Sequence, residues 1–237
     1  MIKLPKTKYC HLDIKNDWLA ISIDNDKKKN ALSATLIDEI IKVLKNAGQS
    51  KQIRGILIKG KDGIFCSGAD LEELHQITYG KENREELTAR MSIRIGNLLQ
   101  TISNVPQITA SVIDGPCIAG GFGMACATDI MITMDSSIFK LSETQLGLTP
   151  AQIAPYILNR VNYSQARLLM LLGDKIDGKI AHEMGLADYL VTSDSEIEKV
   201  IKKIKLKVDK CSPYALEMTK KLLSSNQRIE IKEAAHL

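Results

Sequence analysis

Three short stretches of this chain carry residue types that could stabilise a negative oxygen and move a proton. The first is Ser67-Gly68-Ala69-Asp70, where an extended segment meets a helix start. The second is Ile118-Ala119-Gly120-Gly121-Phe122-Gly123, which follows an apolar strand-like run over 108–113 and a turn signal at Asp114-Gly115-Pro116. Each offers main-chain N–H groups at a helix N-terminus, which favours negative charge. Glycines there let a ligand approach the backbone. If the two turns face each other, the N–H groups of Ala69 and Gly120 can grip one carbonyl oxygen, an oxyanion hole suited to an enolate. One such donor is worth about 3 to 4 kcal/mol in a transition state. The third stretch is Ser142-Glu143, after an apolar strand and beside Leu141, Leu146 and Leu148. A partly desolvated Glu143 has its pKa raised towards neutrality and can serve as general acid and base. Taken singly, each turn also reads as ordinary turn chemistry, and Glu143 as a cap of the following turn or the partner of an arginine.

Other chemistries find little support. Gly121-Phe122-Gly123 lacks the third glycine of a dinucleotide fingerprint, and no Gly-Lys-Ser/Thr or Gly-x-Ser-x-Gly occurs. None of the four histidines (His11, His75, His182, His236) sits in a metal-ligand arrangement, and the five cysteines show no metal spacing. No metal is therefore expected. Cys66, Cys117 and Cys126 stand in apolar contexts as small core residues, which suits a reducing compartment. A formal net charge of +4 is too mild to argue for nucleic acid, and the lysine clusters are local. The apolar region 105–134 is interrupted by Asp114, Pro116, four glycines and Asp129, so it reads as buried strand–turn–helix–strand and not as a membrane span. No apolar signal core precedes Asp13, and a cytoplasmic location is expected.

These stretches need elements to position them. The 237 residues suffice for one large domain, or one domain with a small appendage. Period-two patterns predict strands over 9–14 and 18–23, with Asn16-Asp17 as the turn. Ser33 caps a helix running to about Asn46, and 55–60 is a strand. Helices are predicted over 80–104 and just after Gly120, strands over 108–113 and 130–132, and a short strand over 139–143. From Pro150 onward the pattern is helical, over 152–159, 163–172, 177–184, 194–209 and 213–224. Strands alternating with helices, followed by helices, argue an α/β fold with a C-terminal helical part.

With these residues in hand, the chain resembles the crotonase, or enoyl-CoA hydratase/isomerase, superfamily. The resemblance runs from Asn30-Ala31-Leu32 to the helix around Ala181 and Gly185-Leu186-Ala187. Three ordered motifs carry it: Gly63 to Leu71, Asp114 to Asp129, and Phe139 to Pro150 with Ser142-Glu143 and Leu146-Gly147-Leu148. It implies a crotonase spiral of ββα units over 1–175 and a C-terminal helical region over 176–237, shorter than is usual in the family. It implies an acyl-CoA thioester as substrate, with coenzyme A part of that substrate and no separate cofactor. A homotrimer or a dimer of trimers is also implied. The thioester oxygen would sit between the N–H groups of Ala69 and Gly120, with Glu143 moving the proton. Coenzyme A would lie near Lys29, Ala31, Ser67, Gly68, Asp70, Leu71 and Gly121, with a lysine of the 27–29 cluster on its phosphates. Two-carboxylate hydratases of the family carry a Glu where this chain has Gly123. The stretch Leu141 to Tyr156 is similar to the bacterial branch described as methylglutaconyl-CoA or isohexenylglutaconyl-CoA hydratases, which tolerates Gly at that position. The resemblance thus implies hydration of a 2-enoyl-CoA, with Δ3,Δ2-enoyl-CoA isomerisation by Glu143 as the second expectation. A catalytically inactive protein that binds CoA thioesters, or acts as a scaffold, is the alternative of another class.

Overall fold

The computed structural model describes residues 3–79 and 83–224. The expected first turn of the helix over 80–104, the end of the C-terminal region and His236 lie outside the described residues, as does the side chain of Leu71.

A six-stranded sheet carries the fold. It is built from β1 (Cys10–Lys15), β2 (Trp18–Ile23), β3 (Gly55–Gly60), β4 (Ile108–Ile113), β6 (Ile130–Met134) and β9 (Tyr189–Val191), in the order β1-β2-β3-β4-β6-β9. Asn16 and Asp17, with φ of 51° and 58°, make the tight hairpin that pairs β1 antiparallel to β2. All later neighbours run parallel. Buried parallel strands need apolar residues on both faces; β3 carries Ile56-Leu57-Ile58 at its centre, and β4 places Ile108, Ala110, Val112 and Ile113 among the buried Thr109 and Ser111. One face packs on the main core, with Ile21, Ile56 and Ile58; the other packs Leu57, Val112 and Ile132 under α8 (Asp194–Val208).

A second ladder stacks beside the first. After β2 the chain reaches Leu32, after β3 it reaches Cys66 to Ala69, after β4 it enters β5 (Pro116–Ile118), and after β6 it enters β7 (Ile138–Lys140). Leu32 pairs with Ala69, Cys66 with Cys117, and β5 with β7, all in parallel. Each turn of the spiral is therefore a long strand, a short extended segment and a helix. The helices that follow the first three turns are α1 (Ala34–Gly48), α2 (Leu71–Tyr79) with α3 (Arg84–Asn104), and α4 (Gly120–Cys126). Ser33 caps α1 by accepting from Leu36 N–H at 3.3 Å. The fourth turn leads to α5 (Ala154–Leu158) and α6 (Tyr163–Leu172). Then come β8 (Ile176–Asp177), antiparallel to β7, α7 (Gly178–Glu183), β9, α8 and α9 (Pro213–Ser224).

Two differences from the sequence-based expectation have plain causes. β5, β8 and β9 are two or three residues long, too short to display an alternation. The expected strand over 139–143 ends at Lys140, which leaves Glu143 on a loop that enters a single 3-10 turn over Thr144–Leu146.

Arg160 ties the late elements to α4, and no periodicity pointed to it. Its guanidinium is largely buried and donates to the carbonyls of Cys126 (3.1 Å), Leu186 (3.0 Å) and Thr128, while pairing with Asp188 at 3.2 Å. The Cys126 and Thr128 carbonyls lie at the C-terminal end of α4, where a cation is favoured. Arg160→Met removes all of these bonds and leaves buried acceptors unpaired. It should destabilise the protein by about 3 kcal/mol in urea unfolding.

Candidate active site

The second ladder determines which residues meet. Cys66 stands opposite Cys117, and Cys117 opposite Phe139. Ala69 and Gly120 each lie three residues beyond the paired cysteines, and Glu143 lies four beyond Phe139. All three therefore emerge at the carboxyl end of one parallel ladder, where open α/β sheets present ligand sites. They line a common cavity of about 260 Å³. Apolar side chains of Leu74, Met91, Ile95, Leu148 and Ile153 make up much of its wall.

The two turns touch. A Cβ placed on Gly68 would sit 3.3 Å from Ala119 Cβ, and Gly68 itself has φ of +98°, a conformation open to glycine. Among the described residues no acceptor takes the Ala69 N–H, because the neighbouring bond of that bridge runs from Leu32 N–H to Gly68 O at 2.8 Å. Gly120 opens α4, so its N–H has no partner from within the helix. Ala119 is held at φ 50°, ψ −119°, strained for a residue with a side chain. Its N–H donates to Lys140 O at 2.8 Å, and its carbonyl accepts from Gly123 N–H at 3.0 Å. Those bonds hold the turn that aims the α4 N-terminus at the cavity.

Among the described residues the Glu143 side chain makes neither a capping hydrogen bond nor an ion pair. It precedes the 3-10 turn without a side-chain capping bond, and its Oε2 is buried with no hydrogen-bond partner among the described residues. Burial raises its pKa above the usual carboxylate value of 4.5, partly offset by hydrogen bonds from its own and Ser142's backbone. It is the only carboxylate among the described residues lining the cavity. Gly123, twenty residues earlier, does not line it. A Cβ there would lie 2.8 Å from Ile153 Cγ1 and 3.2 Å from Leu99 Cδ1, so apolar packing fills the space a side chain would need.

The other sequence-derived residues sit at or behind the mouth. Ser67 and Gly68 line the cavity. Ser67 N–H donates to Lys29 O at 3.2 Å, which lays the Lys28–Leu32 segment alongside the first turn. Lys29 is exposed and Ala31 buried. Lys28 proves to be the engaged lysine of its cluster: it pairs with Asp70 at 2.8 Å and Glu72 at 2.7 Å, which hold its pKa above the ordinary range. The Asp70 carboxylate also accepts from Glu72 N–H at 2.9 Å, so both its oxygens anchor the start of α2. Gly121 is not brought to the cavity. A Cβ there would be 2.5 Å from Cys66 Cβ, so its small size serves the packing of α4 on the ladder. Sequence reasoning missed the wall contributed by α3, namely Thr88, Met91, Ser92 and Ile95, and also Gln152. The i, i+3, i+4, i+7 spacing of the α3 residues was the available signal.

A spiral of ββα turns with two amides and one half-buried carboxylate around an apolar cavity can stabilise an enolate and shuttle a proton beside it. The sequence profile of the family described as "Enoyl-CoA hydratase/isomerase" matches residues 13–236, and the chain belongs to that family. It is 32% identical over 184 residues to "Enoyl-CoA hydratase ACTT6" of Alternaria alternata, covering 78% of this chain and 59% of that protein. It is 31% identical over 196 residues to the human mitochondrial methylglutaconyl-CoA hydratase, covering 81% and 56%. The chain thus spans less than two thirds of the length of these relatives. The solved structure of an enoyl-CoA hydratase/isomerase from Marinobacter aquaeolei superposes with a TM-score of 0.89 at 27% identity, over 96% of this chain and 89% of that one. The fold is the crotonase spiral. Among the described residues no helix is long and apolar enough to cross a membrane.

Proposed function

We propose that this protein hydrates the 2,3 double bond of an enoyl-CoA thioester. One observation carries the reading: a half-buried Glu143, its Oε2 without a hydrogen-bond partner among the described residues, shares a cavity with the two free amides of Ala69 and Gly120. The thioester oxygen accepts from both amides. The Glu143 carboxylate takes a proton from water as the water oxygen bonds to C3. The double-bond electrons move onto the thioester, and the resulting enolate is held by the two N–H groups. Glu143 then returns the proton to C2, which leaves a 3-hydroxyacyl thioester and a regenerated carboxylate. The coenzyme A portion runs past Lys29, Ala31 and Ser67 to Leu71, with the exposed Lys29 ammonium available to its phosphates. The Lys28–Asp70 pair holds the start of α2 beside it.

A single carboxylate also supports a second reading, isomerisation of a 3-enoyl-CoA. There Glu143 removes a proton from C2 and returns it to C4. Turnover of matched 2-enoyl- and 3-enoyl-CoAs in heavy-oxygen water separates the two. Label in a 3-hydroxyacyl product is the expected result; a shifted double bond without label would establish the isomerase instead. No turnover of any enoyl-CoA, with retained binding, would reduce the protein to a thioester binder.

A homotrimer or dimer of trimers belongs to the same proposal. Leu168, Leu171 and Leu172 of α6 are exposed, as is Leu146, which also lines the cavity. Thr144 and Gln145 donate to the Leu171 and Leu172 carbonyls, which ties the catalytic loop to the end of α6. Subunit contact across this face would cover apolar surface and brace Glu143.

A further inference from the structure

The cavity holds a polar pair that the proposed chemistry does not use. Ile95 of α3 abuts the second amide: a Cβ on Gly120 would lie 3.2 Å from Ile95 Cδ1. Ser92 stands one turn earlier on the same face of α3, about 5 Å along the axis. There the Gln152 side chain donates from Nε2 to Ser92 Oγ at 3.3 Å. Its Oε1 accepts no hydrogen bond from any described residue. α3 makes room for this amide with a glycine. A Cβ on Gly96 would be 2.5 Å from Gln152 Oε1 and 2.9 Å from Cδ. Glycine inside a helix is about 1 kcal/mol less favourable than alanine, so the helix is weakened where the amide sits. The cavity wall is largely apolar but also carries Ser67, Thr88, Ser142 and Thr149, and among the described lining residues there is no lysine or arginine.

We propose that Gln152, oriented by Ser92 and admitted by Gly96, is a specificity determinant that selects an acyl chain carrying a hydroxyl group a few carbons beyond the thioester. The inference rests on the thioester reading above. In a largely apolar cavity a side-chain amide held in place by a second residue fixes ligand orientation. A hydroxyl donates to the open Oε1 and accepts from the second Nε2 hydrogen. A plain alkyl chain displaces water from the amide and leaves it unpaired, which is unfavourable. A carboxylate on the chain would meet no cation in the described wall and would share the cavity with Glu143.

Saturated thioesters, which cannot be hydrated, separate binding from catalysis. Hexanoyl-CoA, 5-hydroxyhexanoyl-CoA and glutaryl-CoA are titrated calorimetrically into the wild-type protein, Gln152→Leu and Gly96→Ala, each checked for folding by its thermal transition. The hydroxylated thioester should bind the wild type about fivefold to tenfold more tightly than hexanoyl-CoA, the worth of one net hydrogen bond. Gln152→Leu should bring that ratio to about one, and Gly96→Ala, which displaces the amide without removing it, should lower it. Equal affinities in the wild type, a ratio untouched by both variants, or tightest binding of glutaryl-CoA would each overturn the assignment. Failure of all three thioesters to bind would instead overturn the thioester reading itself.

Discussion

Glu143→Gln should lower kcat by about 10²- to 10⁴-fold, the span expected when a general acid–base group is lost. The substitution keeps size and removes only the ability to take up a proton, so KM should change far less than kcat. The wild-type rate should fall as pH is lowered through a pKa above 4.5, because burial disfavours the Glu143 carboxylate and the reaction needs it ionised. Stability should move the other way. A carboxyl whose folded pKa is raised contributes stability at low pH and loses it as pH rises through that pKa. Glu143→Gln does not ionise. The difference in melting temperature, variant minus wild type, should therefore grow in the variant's favour between about pH 4 and about pH 8. A near-normal kcat in Glu143→Gln would remove Glu143 from the mechanism.

Gly123→Glu should destabilise the protein by about 3 to 5 kcal/mol and restore no second acid–base group. The new side chain meets Ile153 Cγ1 at 2.8 Å and Leu99 Cδ1 at 3.2 Å, on a helix buried throughout its length. Overpacking costs about 1 to 3 kcal/mol, and an unpaired buried charge adds several more unless it takes up a proton. Ile153→Ala opens the obstructing space. The double variant should therefore be more stable than Gly123→Glu alone by at least about 1 kcal/mol in denaturant unfolding, a coupling expected only of residues in contact. Additive effects would mean that Ile153 does not occupy the place of a second carboxylate.

The residues chosen from sequence for chemistry and those chosen for binding fared differently. Ala69, Gly120 and Glu143 are brought to one cavity. Each is marked by a local signal: a turn entering a helix, glycines at close approach, a carboxylate among leucines. Gly121 carries the same glycine signal, yet it packs on Cys66. The reason is that α4 buries one side of its first turn and aims only the other at the cavity. Asp70 likewise looks available in the sequence, but its carboxylate is bound by Lys28 and the α2 N-terminus. Gln152 and Arg160 were invisible because their partners lie far off along the chain, Ser92 being 60 positions from Gln152 and Cys126 34 positions from Arg160.

Periodicity, capping residues and turn glycines determined the longer strands, the main helices and the short stretches able to do chemistry, because each depends on neighbours a few residues apart. Register across the second ladder belongs to the tertiary structure alone. Cys66 opposite Cys117, and Cys117 opposite Phe139, is a matter of which side chains pack when the spiral closes. A slip of one residue would turn every side chain of the ladder to its other face and carry the Ala69 and Gly120 amides out of line with Glu143.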